Sequence, residues 1–193
     1  VTISVVLSTY SGSTFIASTS KNVTANVPSS VVPSVSGFTA AIASGGLSGL
    51  YVQGKSTTKL TASASAGDGA VISSYLYSGP DVYVSTTVNN ITTGIINASG
   101  TLTYTVQVTD SRGRSASRSV QIYVYPYSVP AMGSVSVQRC DVNGNLSESG
   151  TYAKYTINST YSDVGGKNTR TVTAAYSSNN GTSYSSATTL QAA

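Results

Sequence analysis

Residues 101–125, TLTYTVQVTDSRGRSASRSVQIYVY, contain the pattern that decides the fold. Apolar side chains occupy every second position over 102–108, with Thr or Gln between them, and the alternation returns over 120–124. A period of two predicts a pair of half-buried β-strands. The Asp-Ser-Arg-Gly segment at 110–113 predicts the turn between them, because Asp suits the first turn position and Gly accepts a positive φ.

Similar strand patterns, separated by turn signals, recur along the rest of the chain. Regular short strands of this kind are typical of an antiparallel sandwich rather than of helical or α/β architecture. We therefore predict an all-β protein made of tandem immunoglobulin-like antiparallel β-sandwich domains. Tyr104 lies near the start of the penultimate predicted strand, where such sandwiches place a tyrosine whose hydroxyl group anchors a corner.

Two proline-containing stretches divide the chain, since paired prolines interrupt the hydrogen bonding of a sheet. The predicted units are the last two strands of a preceding β domain (1–27), a linker (28–33), a complete immunoglobulin-like sandwich (34–125), a second linker (126–130) and an incomplete immunoglobulin-like or fibronectin-like domain (131–193).

The composition excludes several classes of function. The 193 residues include 36 serines, 26 threonines and no histidine, and only 8% are charged, against about 25% in an average soluble domain. Without histidine, Ser-His-Asp and Cys-His catalysis and His-ligated metals are excluded. Cys140 is the only cysteine, and we expect it to be a buried, unreactive thiol. We expect no enzymatic activity, no catalytic residue and no cofactor.

The acidic residues show no arrangement that predicts a metal site or a catalytic pair. Asp141, Asn143 and Asn145 match the first three ligand positions of a calcium-binding EF-hand loop. Leu146 stands where that loop requires Gly, and Tyr152 where it requires Glu. The remaining acids lie in turn-like contexts, so turn capping explains them: Asp68, Asp81, Asp110, Glu148 and Asp163.

The positive charges do not predict a nucleic-acid partner. The net charge is +4, but the only local cluster is Arg112, Arg114 and Arg118, which we interpret as a solvated hairpin tip. Membrane insertion is not expected either, because the charge-free run over 22–54 is interrupted by prolines and glycines.

The sequence offers one candidate binding surface, formed by Tyr123, Tyr125 and Tyr127. Their spacing would place them on the outer face of the last strand of the central domain, as a ridge of amphipathic rings. The alternative, which we favour, is that they pack against the next domain across the linker at 126–130.

Three stretches resemble a known family: GLYVQGKS at 49–56, YTVQVTDSRGR at 104–114, and YSVP at 127–130 running on to QRCD at 138–141. Together they are similar to tandem immunoglobulin-like modules of siphovirus and prophage tail structural proteins of unknown function. The resemblance implies an elongated, non-enzymatic virion component that contacts the host surface. It implies other virion or tail proteins, copies of the same chain, or a host glycan or protein as partners.

Two other functions share this fold. One is a stalk repeat of a bacterial cell-surface adhesin, which would place the chain outside a cell rather than in a virion. The other is a carbohydrate-binding module, which usually needs exposed aromatic side chains on one platform; the chain has no tryptophan.

Residues 131–193 alone are expected not to form a stable domain. They supply about four strands, whereas an immunoglobulin-like sandwich needs about seven, so one apolar face stays uncovered. Circular dichroism of this segment should show no cooperative thermal transition, and proteases should degrade it quickly. A cooperative, protease-resistant monomer would contradict the prediction.

Overall fold

The computed structural model describes residues 2–26 and 28–192, and within these ranges every regular element is a strand. The described residues contain no helix that is long and apolar enough to cross a membrane. The strands are β1 (Thr2–Ser11), β2 (Thr14–Thr24), β3 (Ser34–Ser44), β4 (Tyr51–Val52), β5 (Thr57–Ser65), β6 (Ile72–Gly79), β7 (Val82–Thr86), β8 (Asn90–Thr92), β9 (Gly100–Asp110), β10 (Ser115–Tyr125), β11 (Ala131–Cys140), β12 (Tyr152–Thr160), β13 (Thr171–Ala174) and β14 (Thr188–Ala192).

Strands β3 to β10 form a sandwich of two sheets. One sheet has the order β3-β5-β8 and the other β4-β10-β9-β6-β7. Buried apolar residues from both sheets, with Ile96 of the loop between β8 and β9, form one core between them: Phe38, Leu60, Ala62, Tyr75, Tyr77, Ile96, Leu102, Tyr104, Val106, Val108, Ile122 and Val124. The predicted all-β class and sandwich architecture are confirmed in this part of the chain.

Strand β9 shows why the sequence folds this way. Its alternate residues from Leu102 to Val108 are buried, while Thr103 and Gln107 between them are exposed. It pairs antiparallel with both β10 and β6, so one face of the strand meets the core and the other meets water.

One pairing differs from the predicted antiparallel arrangement. Strand β4 runs parallel to β10, with Tyr51 opposite Val124 and Val52 opposite Tyr125. After β3 the chain leaves the three-stranded sheet and crosses to the edge of the other, where β4 covers part of the unpaired edge of β10. Covering an exposed edge in this way prevents unwanted strand pairing.

The flanking segments form two-stranded sheets only: β1 with β2, β11 with β12, and β13 with β14. In the first hairpin, Ile3, Val5 and Leu7 are each more than half exposed. Residues 131–192 contribute few buried apolar side chains, namely Cys140, Val164 and Val172. The tandem arrangement of sandwiches therefore stays a prediction, and the one sandwich formed by the described residues lies between the two linkers.

Tyr104 does not form the predicted corner anchor. Its ring is fully buried, but its hydroxyl group has no hydrogen-bond partner among the described residues, and the same holds for Tyr77. The ring packs instead across Gly79, where an added Cβ would lie 2.6 Å from Cδ1 of Tyr104. Tyr104 thus acts as an apolar core residue whose position requires glycine on the neighbouring strand.

Replacing Tyr104 by Phe is expected to stabilise the sandwich by about 1 kcal/mol, because it removes a buried hydroxyl group that lacks a partner. Urea unfolding at neutral pH measures the change. Tyr123→Phe, which alters a half-exposed ring, is the matched control and should leave stability unchanged. A loss of stability in Tyr104→Phe would contradict this account.

Stability should also fall at high pH. The pKa values of Tyr77 and Tyr104 are raised from 10.0 to about 12, mainly because both phenols are buried. Electrostatic repulsion contributes as well, from Tyr75 at Tyr77 and from Asp81 at Tyr104. In the unfolded chain both phenols ionise near 10.0, so stability is intact below pH 10 and is lost as the pH rises toward 12. The loss should be smaller in the double variant Tyr77→Phe/Tyr104→Phe; equal losses would contradict the assignment.

Candidate functional site

The three candidate tyrosines lie at the end of β10 and in the following linker, but they do not form one ridge. Tyr123 is 53% exposed, and its ring meets that of Tyr125 edge-on, at 4.9 Å between centroids and 83° between planes. Strand β10 ends at Tyr125, so Tyr127 lies outside the alternation and points elsewhere, with Nζ of Lys55 located 5.4 Å from its ring centroid.

Gln53 connects this segment to the sandwich. Its backbone N–H donates to the carbonyl of Tyr125 at 2.9 Å, and its side-chain oxygen accepts the N–H of Tyr127 at 3.3 Å. Its side-chain nitrogen donates to the carbonyl of Asn97 at 2.8 Å. The backbone and side chain of Gln53 therefore hold the end of β10 and the start of the linker, and the side chain also binds the loop that contains Asn97.

On the other side, the loop between β12 and β13 packs against the same segment. The N–H of Ser128 donates to Oγ of Ser162 at 2.8 Å. At Gly165, an added Cβ would lie 2.8 Å from Cε1 of Tyr125, so the loop backbone lies directly against this ring. Tyr125 and Tyr127 thus lie where the sandwich, the linker and the C-terminal segment meet, and Tyr123 is the most exposed of the three.

Arg112 and Arg118 are exposed and Arg112 lies in the hairpin turn, as the interpretation of a solvated tip expects, but the side chains of the arginine cluster also bind backbone carbonyls. Arg112 donates hydrogen bonds to the carbonyls of Gly67 and Asp68. Arg114 donates to the carbonyl of Val31. Arg118 donates to the carbonyls of Val35 and Ser36. Arg114 therefore holds the first linker, Arg112 holds the loop between β5 and β6, and Arg118 holds the start of β3. The sequence could not reveal this, because their acceptors are backbone carbonyls up to 83 positions away.

A family model described as siphovirus protein of unknown function (DUF859) matches residues 1–189. The chain belongs to this family. A search of curated proteins found no match. The siphovirus resemblance of the sequence motifs is confirmed at the level of the DUF859 family, which supports a virion-associated phage structural protein.

Several acidic side chains of this DUF859 member cap turns. Oδ1 of Asp110 accepts the N–H groups of Arg112 and Arg114, at 2.9 and 3.0 Å. Asp141 does the same for Asn143 and Asn145, and hydrogen bonds from Asn145 hold the pKa of this carboxyl below its ordinary value. In the ranges that the structure describes, no three His, Cys, Asp or Glu side chains are grouped to hold a metal ion.

Two contributors to this region were missed by the sequence analysis. Gln53 lies within the family-like stretch at 49–56, but its partners are set only by the tertiary fold. Val164 is only 3% exposed although it lies in a loop, and its φ of +48° is unusual for a β-branched residue. The neighbouring Asp163 and Gly165-Gly166 predict a turn there, but not that its valine is buried.

Replacing Asp110 by Ala is expected to destabilise the sandwich by about 2 kcal/mol, because two backbone N–H groups lose their acceptor at a residue that is only 2% exposed. Urea unfolding gives the difference. Ser111→Ala, in the same turn but exposed, removes a single 3.3 Å bond to Val71 and should cost less than about 0.5 kcal/mol. Equal effects of the two variants would show that burial of the cap is unimportant.

Proposed function

We propose that this chain is a non-enzymatic structural module of a siphovirus tail appendage, with other virion proteins or copies of itself as partners. The observation that supports it most directly is the match of the siphovirus family over 189 residues. The strand arrangement agrees with a spacer module: a compact β-sandwich is joined through short proline-containing linkers to further β segments.

We further propose that the sandwich is immunoglobulin-like, and its strand order supports this. Lettering β3, β5 and β8 as A, B and E, and β10, β9, β6 and β7 as G, F, C and C′, gives the order of an immunoglobulin sandwich without a D strand. The short strand β4 is an additional edge strand, parallel to β10.

The chemistry of the side chains argues for assembly rather than turnover. Asp81, Asp110 and Asp141 accept hydrogen bonds from their own or neighbouring loops, and the arginines are bound to carbonyls. These groups stabilise turns and linkers, so we assign them a structural role. Absence of turnover of glycan, peptide and ester substrates by the purified chain is the corresponding expectation.

Carbohydrate binding is less well supported by the geometry. A sugar ring stacks on a flat aromatic face, whereas the rings of Tyr123 and Tyr125 meet at 83° and that of Tyr125 lies against Gly165. The same fold in a bacterial adhesin stalk would have this geometry too, and it is the siphovirus family that favours the phage assignment.

Localisation in particles tests the proposal. Mass spectrometry of purified virions from a siphovirus encoding this chain should detect it, and immunogold labelling should mark the tail. The major capsid protein of the same particles is the positive control for detection. Detection in the infected-cell lysate without detection in purified virions would contradict a structural role, and labelling confined to the head would contradict the tail assignment.

A further inference from the structure

The loop at 162–168 is an ordered element placed against the sandwich. The carbonyl of Asp163 accepts the N–H groups of Lys167 and Asn168, at 3.0 and 2.8 Å. The side-chain nitrogen of Asn168 donates to the carbonyl of Ser162 at 2.7 Å, and Ser162 binds the N–H of Ser128. The loop is therefore closed on itself and bound to the linker at one end.

Val164 lies at the tip of this loop, facing the sandwich. It shares the walls of a cleft of about 380 Å³ with Leu47, Val52, Lys55 and Tyr127 of the sandwich and linker. Val164 is 3% exposed, whereas Val142, in the turn after β11, is 71% exposed. Among the apolar side chains of the C-terminal segment, this is one of the few removed from water, and it is removed by residues of another unit.

The backbone at this point is in a conformation that valine adopts poorly. The φ of Val164 is +48°, followed by +64° and +72° at Gly165 and Gly166. A β-branched residue keeps a positive φ only where contacts with the surrounding structure compensate for the backbone strain. Here the apolar cleft supplies the reason: Asn would suit the backbone better, but its polar side chain would not suit the cleft.

We propose that Val164 is the positioning residue of a stiff joint between the sandwich and the C-terminal segment. Its side chain fills the cleft, and Gly165 allows the loop to lie against the ring of Tyr125. Gln53 and Ser162 hold the amides of Tyr127 and Ser128. With Val164 and Gly165, these contacts make the proline-containing linker at 126–130 a fixed connection. The stiffness of the joint depends on the valine side chain more than on the loop backbone.

The substitution Val164→Asn separates these two contributions. Asn tolerates a positive φ better than Val, so the loop backbone is retained while the apolar contact is lost. In the full chain, hydrogen exchange followed by NMR at the amides of Tyr127 and Ser128 reports the joint, and exchange over 101–110 reports the sandwich. Val142→Asn makes the same chemical change at an exposed position and is the matched control.

We expect Val164→Asn to accelerate exchange of the Tyr127 and Ser128 amides by about tenfold, the factor that corresponds to losing a buried valine contact of about 1.4 kcal/mol. Exchange over 101–110 should not change, and Val142→Asn should behave as the wild type. Small-angle scattering should show a broader distribution of distances in Val164→Asn only.

Three outcomes would overturn the proposal. Unchanged exchange at both amides would mean that the valine does not hold the joint. Slower exchange would mean that relief of the backbone conformation outweighs the contact. Faster exchange over 101–110 as well would place Val164 in the stability of the sandwich itself. Each result leaves the tail assignment standing, because that rests on the family and on localisation in particles.

Discussion

Burial of one face of β9 is the constraint on which the sandwich depends. Because side chains on a strand alternate between faces, a shift of pairing by one residue would move Leu102, Tyr104, Val106 and Val108 from the core to water. The turn that follows fixes the pairing: Asp110 accepts two amide N–H groups within the turn and is itself buried. The core sets which face is inside, and the carboxyl cap sets where the return strand begins.

What the sequence predicts well is what depends on local pattern. The alternation over 102–108 and the Asp-Ser-Arg-Gly turn are local, and both the strand and the turn are present as expected. The same alternation predicts that Tyr104 shares a face with Leu102 and Val106, and in the structure all three are buried. The predicted anchoring hydroxyl bond was wrong, because a position within a strand does not determine whether an acceptor lies near the end of the ring.

Contacts between distant segments could not be predicted in this way. The acceptors of Arg112, Arg114 and Arg118 are carbonyls, which every residue has, so no residue type marks them in the sequence. The sequence predicts that Tyr125 and Tyr127 either pack against the next domain or bind a ligand. Their contacts with residues such as Gly165 and Lys55 distinguish the two, and only the fold brings those residues close. Local pattern therefore predicts the sandwich, and the joints on either side of it depend on the assembled fold.

The solitary cysteine gives this protein a built-in probe of its C-terminal segment. Cys140 is 3% exposed at the end of β11, and the backbone of Gly150 lies so close to its main chain that an added Cβ would be 2.2 Å from the Cys140 carbonyl oxygen. A thiol-specific dye can reach the sulfur only when this hairpin opens. Because the sandwich contains no cysteine, the labelling rate reports the opening of the β11–β12 hairpin separately from that of the sandwich, without any engineered reporter.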